Sequence, residues 1–98
     1  MTYESKFKND EIDSLFQAVM QLETEEECYR FFEDLCTVNE LQAMAQRWQV
    51  ARLLADRKTY SEIEEETNAS TATISRINKC LLYGADGYKK VLKKLEED

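Results

Sequence analysis

Small polar side chains dominate the stretch from Ser70 to Lys79, which reads S-T-A-T-I-S-R-I-N-K. Glutamate, lysine and glutamine usually fill an exposed helix face, so side chains this short are unusual there. Short hydroxyl-bearing residues beside a few basic ones can hydrogen-bond to base edges and phosphates in the major groove of DNA. The small or basic residues of this face are Thr71, Ala72, Thr73, Ser75, Arg76 and Lys79.

Two short helices joined by a tight turn are predicted to position this polar face. Ser61–Thr67 predicts about two turns of helix, and Asn68 tolerates the left-handed backbone that a sharp turn needs. Ser70 is a good N-cap for the second helix. That helix has one apolar stripe at i, i+3 and i+7, formed by Ile74, Ile77 and Leu81. The pattern between residues 60 and 82 therefore predicts a helix-turn-helix.

An ordinary helical hairpin in a small bundle fits the same pattern, because turns between two helices are common and the motif is loosely defined. The shortness of the side chains after the turn and the local basic charge of S-T-A-T-I-S-R favour the helix-turn-helix.

The length of 98 residues predicts a single domain over residues 1–98. A hydrophobic content of 43 %, no proline and only two glycines predict an all-α protein. The net charge of -7 argues against a general nucleic-acid binder. From Asn68 to Leu95, however, the chain has six basic residues and a single acidic one, Asp86, which gives this segment a net charge of +5. One end of the molecule could therefore face phosphates.

About six helices and no strand are predicted, after a flexible lead-in over residues 1–8. Asn9 or Asp10 is expected to cap the first helix. Three later helices begin with the T-x-x-E spacing of a capping box, and the pairs are Thr24 with Glu27, Thr37 with Glu40 and Thr59 with Glu62.

The third helix, roughly Val38 to Asp56, is apolar around much of its circumference. A helix of this kind must be covered on more than one side, and a second subunit could supply that cover in so short a chain. The last helix is expected to turn its apolar residues inward, namely Tyr88, Val91, Leu92 and Leu95.

Three cysteines and the absence of histidine predict neither a zinc site nor a disulfide framework. Buried free thiols in a reducing cytoplasm are expected for Cys28, Cys36 and Cys80. No apolar run approaches the roughly 20 residues that span a bilayer. No metal and no cofactor are expected.

Three segments resemble a known family. They are D-L-C-T-V-N-E-L-Q-A-M-A-Q-R-W at 34–48, T-Y-S-E-I-E-E-E-T-N-A-S-T-A-T-I-S-R-I-N-K-C-L at 59–81 and Y-G-A-D-G-Y at 83–88. From Phe31 to about Leu92 the chain resembles the Trp repressor superfamily, and more closely its Trp-repressor-related proteins of the YerC/YecD type. The resemblance implies an intertwined all-α homodimer that meets successive major grooves of double-stranded DNA. It also implies transcriptional control, most often repression.

By position, the resemblance assigns the DNA contacts to the start of the second helix of the motif. The assigned residues are Ser70, Thr71, Ala72, Thr73, Ser75 and Lys79. Glu64 departs from the motif, because this position is usually small or basic in helix-turn-helix proteins and a carboxylate near phosphates is unfavourable.

A ligand pocket is also implied by the resemblance. Arg47 and Arg76 stand where two arginines sandwich the indole ring in tryptophan-responsive members, and Thr37 matches another pocket residue. Ile77 occupies the place of a glycine that makes room for the indole, and Cys80 replaces a pocket serine. An isoleucine should fill the cavity, so tryptophan is not expected as corepressor. The two arginines leave open an unknown small anionic effector.

A DNA-binding regulator is the first functional interpretation. The alternative is a helical protein–protein interaction module with the same fold and no specific DNA binding, favoured by the net charge of -7 and by the acidic cluster Glu62, Glu64, Glu65 and Glu66. An enzyme is not expected, because the chain has no histidine, no glycine-rich phosphate loop and no serine or cysteine beside an evident base.

Overall fold

The computed structural model describes residues 3–97, which contain six α-helices and no strand. The helices are α1 (Asp10–Val19), α2 (Glu25–Leu35), α3 (Val38–Ala55), α4 (Tyr60–Thr67), α5 (Thr71–Tyr83) and α6 (Gly87–Glu96). The predicted all-α fold is confirmed. Residues 3–8 of the predicted lead-in form no helix, and its first two residues lie outside the described part. The described residues form two compact units, and the boundary in the chain lies between Thr37 and Val38. The single domain stays a prediction.

The helix starts follow the local signals in the sequence. Asn9 caps α1, since its side-chain oxygen accepts a hydrogen bond from the Ile12 amide at 2.8 Å. The capping box at Thr37 and Glu40 stays a prediction, whereas those predicted at the starts of α2 and α4 are present. Each of these contacts joins residues three apart in the sequence, and each satisfies an amide that the helix itself leaves unpaired.

The capping box of α4 affects the ionisation of Glu62. The Thr59 amide donates to Glu62 Oε1 at 2.9 Å, and the Glu62 amide donates to Thr59 Oγ1 at 3.1 Å. Hydrogen bonds from Thr59, first from its backbone and then from its side chain, hold the pKa of Glu62 below its ordinary value of 4.5. The folded state therefore favours the ionised carboxylate. The stabilisation is present above the unfolded pKa and is lost as the pH falls through the lower folded one.

We expect Thr59→Ala to raise the pKa of Glu62 towards 4.5, because the hydroxyl contact is lost while the backbone contact remains. An NMR titration of the Glu62 carboxyl carbon measures this shift. Ser61→Ala, on the exposed side of the same helix, is the matched control and should leave the titration unchanged. An equal shift in both variants would contradict the assignment.

The core of the unit from Val38 onwards lies where α3, α4 and α5 pack together. Its buried residues are Val50, Ala51, Leu53, Ile63, Ala69, Ile74 and Ile77. Tyr88 on α6 stacks on Trp48 of α3, with ring centroids 6.3 Å apart and an angle of 22° between the ring planes. This stack joins α6 to α3 within the unit that begins at Val38.

The unit of α1 and α2 has no buried residue in either helix. Phe31 and Phe32 meet edge to face at a centroid distance of 5.5 Å, while Phe16 is 58 % exposed and Met20 80 % exposed. Apolar side chains of this size normally contribute by being removed from water. These two helices therefore leave much of their apolar surface uncovered within the single chain.

Two burial predictions are wrong for the described chain. Cys28 and Cys80 are exposed and Cys36 is half-buried, so the expected buried thiols are absent. Val91 and Leu95 of α6 are also exposed, whereas Tyr88 and Leu92 are partly buried. Apolar character alone does not determine which face of a helix another element covers.

No helix among the described residues is both long enough and apolar enough to cross a membrane.

Candidate nucleic-acid interface

The turn between α4 and α5 has the left-handed residue that the sequence predicts. Asn68 has φ 60° and ψ 14°, and its amide donates to the Glu64 carbonyl at 2.9 Å. Thr67 Oγ1 donates to the Ile63 carbonyl at 2.7 Å and accepts from the Ala69 amide at 3.2 Å. These bonds occupy the backbone groups at the end of α4 and make the turn well defined.

A side chain from α3 supports this turn from the core side. Gln46 Nε2 donates to the Thr67 carbonyl at 3.0 Å, so it satisfies one of the carbonyls that the end of α4 leaves unpaired. Ala69, inside the turn, is only 4 % exposed and belongs to the core. Both contributions were missed by sequence reasoning. The only signal for the burial of Ala69 was its small apolar side chain between Asn68 and the cap of the next helix.

Ser70 caps α5 as predicted. Its Oγ accepts from the Thr73 amide at 3.2 Å and donates to Thr73 Oγ1 at 3.1 Å. The amides of Thr71 and Ala72 come before the first hydrogen-bonded turn of the helix. They are the natural partners for an outside acceptor such as a phosphate oxygen.

The two faces of α5 differ sharply in exposure. Ile74 is 0 % exposed and Ile77 is 5 % exposed, so these residues anchor the helix in the core. The opposite side lies in solvent, and its exposed residues are Ser70, Thr71, Ala72, Ser75, Arg76 and Lys79. Thr73 is half-buried. The candidate DNA-contacting residues thus lie together on or beside one exposed surface, while their contact with DNA stays a prediction.

Glu64 on α4 contacts the first residue of α5 across the turn. The Thr71 hydroxyl donates a hydrogen bond to Glu64 Oε1, and both residues are exposed. No local spacing rule predicts this contact, because the two residues belong to different helices and are seven positions apart.

The candidate pocket residues do not form a single buried group. Arg47, Arg76 and Cys80 are exposed, whereas Ile77 is buried in the core. Thr37 is exposed and is the last residue before α3. The pocket assignment as a whole stays a prediction.

Charge is unevenly distributed around the motif. Arg76 and Lys79 are exposed on α5, and Lys89, Lys90, Lys93 and Lys94 are exposed on α6. Four exposed carboxylates lie on α4, namely Glu62, Glu64, Glu65 and Glu66. The exposed face of α5 is thus basic at its centre and has an acidic neighbour at its start.

Comparisons with known proteins agree with this geometry. Residues 10–96 match the family model described as Trp repressor protein. The chain is 53 % identical over 92 residues to the uncharacterized protein YerC of Bacillus subtilis, and the match covers 94 % of this chain and 88 % of that protein. The crystal structure of a TrpR like protein from Eubacterium eligens is 48 % identical with a TM-score of 0.89, covering 93 % of this chain and 94 % of that one. The crystal structure of a protein from Staphylococcus aureus is 47 % identical with a TM-score of 0.88. This match covers 95 % of this chain and 93 % of that one.

Proposed function

The chain belongs to the Trp repressor family, and we propose that it is a sequence-specific DNA-binding regulator of transcription that acts as a repressor. The observation that carries this proposal is the division of α5 into two faces. Ile74 and Ile77 hold the helix in the core, while short hydroxyl-bearing and basic side chains lie in solvent. A helix held in this way can enter the major groove with its N-terminal residues beside the base edges.

Two kinds of DNA contact are proposed on this surface. Thr71, Ala72 and Ser75 lie where side chains of a docked helix reach base edges, with Thr73 nearby. Lys79, two turns further along, contacts a phosphate, and Ser70 orients the helix start. The exposed lysines of α6 add to the local positive potential. The net charge of -7 keeps the total affinity for random DNA modest.

A homodimer is the proposed DNA-binding form. Uncovered apolar residues occur on both compact units, including Met20, Tyr29, Val38 and Leu95. So much exposed apolar surface in a small chain is typical of an interface. A two-fold dimer presents two copies of α5, which would suit an operator made of two related half-sites.

We propose that DNA binding needs no tryptophan. Ile77 is 5 % exposed and packed in the core behind the exposed face of α5. An indole in that space would have to displace packed carbon atoms, and overpacking a core is unfavourable. Any effector that acts through Arg47 and Arg76 would be a small anion, because both guanidinium groups are positively charged.

A second candidate function is a protein–protein interaction module without specific DNA binding. The acidic residues of α4 and the contact of Glu64 with the start of α5 favour it, since they place negative charge beside the surface that would face phosphates. A mobility-shift titration on random duplex DNA at several salt concentrations separates the two candidates. A regulator should show salt-dependent binding, whereas the module should show none.

Lys79→Ala tests the proposed phosphate contact. We expect it to weaken binding to all duplexes alike and to reduce the slope of log K against log salt by about one unit, because one phosphate contact is lost. Lys6→Ala removes the same charge from the unit of α1 and α2 and is the control. If Lys79→Ala changed base preference instead of the salt slope, the assignment of Lys79 to phosphate would be wrong.

A further inference from the structure

The contact between Glu64 and Thr71 changes what the start of α5 can offer to DNA. A threonine hydroxyl has one proton to donate and two lone pairs that can accept. The Thr71 proton is directed at Glu64 Oε1. What remains on Thr71 Oγ1 is therefore acceptor capacity alone. The carboxylate of Glu64 is itself an acceptor-only group when ionised.

Acceptor-only groups do not pair with the sugar–phosphate backbone. Phosphate oxygens also only accept, and the charge of Glu64 repels them. The bases differ, because in the major groove cytosine exposes its N4 amine and adenine its N6 amine as donors. Guanine and thymine expose only acceptors at the equivalent exocyclic positions.

We propose that Glu64 and Thr71 together read an exocyclic amine in the major groove, on cytosine N4 or adenine N6. The proposal rests on the DNA-binding function proposed above and deepens it. Thr71 is the first residue of α5 and is exposed, so its Oγ1 lies at the end of the helix that meets base edges. Glu64 is a positioning residue, since it orients the Thr71 hydroxyl.

The same pair also explains the carboxylate at a position where helix-turn-helix proteins usually have a small or basic residue. Glu64 reduces affinity for every duplex through repulsion of phosphates. It increases discrimination because a buried acceptor opposite a base that lacks a donor is left unpaired. Glu64 thus lowers the affinity for all duplexes and increases the selectivity between bases.

Selection of bound sequences from a random duplex pool tests the proposal with Glu64→Ala and Thr71→Val. Valine keeps the shape of threonine without its hydroxyl. The wild type should enrich cytosine or adenine at one position of each half-site, and both variants should lose that enrichment. Glu65→Ala is the matched control, because it removes the same exposed charge from the same helix. It should keep the enrichment.

The enriched site then allows a direct test of the amine. Replacing the enriched base by an analogue without the exocyclic amine should weaken wild-type binding about tenfold, within the range of a good base contact. The analogue should change binding by Thr71→Val no more than about twofold, since valine has no hydroxyl that could accept from the amine. Two analogues, one of cytosine and one of adenine, distinguish the two bases.

The outcomes separate the inference from the proposed function. Salt-dependent binding with an enrichment that Glu64→Ala and Thr71→Val leave unchanged would overturn the inference alone. If the two variants lost the same affinity for every sequence and also had a lower thermal midpoint, the inference would be overturned too, because the contact would then only stabilise the turn. The absence of any duplex binding would overturn the proposed function and this inference with it.

Discussion

The midpoint of thermal unfolding is expected to rise with protein concentration, by roughly 3–6 °C for each tenfold increase, because folding and association are coupled in a dimer without a stable monomer. The reason is the small core of the single chain. Neither α1 nor α2 has a buried residue, and Val38 and Met44 on α3 are 68 % and 40 % exposed. Calorimetry over a hundredfold range of concentration measures the shift. A midpoint independent of concentration, or a folded monomer in sedimentation at micromolar concentration, would contradict this prediction.

Met44→Glu should lower the midpoint strongly and shift the sedimentation profile towards monomer or unfolded chain. A charge placed in an apolar interface loses its hydration without gaining a partner. Gln42→Glu is the matched control, because residues two positions apart face different sides of a helix and Gln42 is exposed. If both substitutions acted alike, the exposed side of Met44 would not be the interface.

A graded destabilisation is expected when Ile77 is shortened to valine, alanine and glycine. Ile77 is 5 % exposed within the core. We expect losses in the free energy of unfolding of about 1 kcal/mol for Ile77→Val and about 2–5 kcal/mol for Ile77→Ala. Ile77→Gly adds about 1 kcal/mol more through lower helix propensity. Lys79→Gly on the exposed side of α5 isolates that propensity effect.

The same series tests the proposed independence from tryptophan. Titration of the wild-type protein with L-tryptophan should show no site of sub-millimolar affinity, because the buried Ile77 is proposed to fill the space where an indole would bind. Ile77→Gly should move the protein towards tryptophan binding by opening that space. Sub-millimolar binding by the wild type, or a gain in operator affinity on adding tryptophan, would overturn the proposal.

The local features of the helix-turn-helix could be predicted from the sequence because they depend on neighbours a few residues apart. Asn68 adopts the left-handed backbone, Ser70 caps α5, and Thr59 pairs with Glu62 across three positions. The apolar spacing of Ile74 and Ile77 identified the buried face of α5 for the same reason. The sequence by itself thus determined the helices, the turn and the exposed polar face.

Contacts between distant residues were decided only by the tertiary structure. Gln46 reaches the Thr67 carbonyl from 21 positions away, and polar character did not indicate which of several glutamines would do so. Thr71 donates to Glu64 only because the turn brings α4 beside the start of α5. Cys28 and Cys80 lie in solvent because burial depends on which faces other helices cover, and side-chain type does not specify those faces. Local hydrogen bonding therefore specified the motif, whereas packing decided which of its side chains meet.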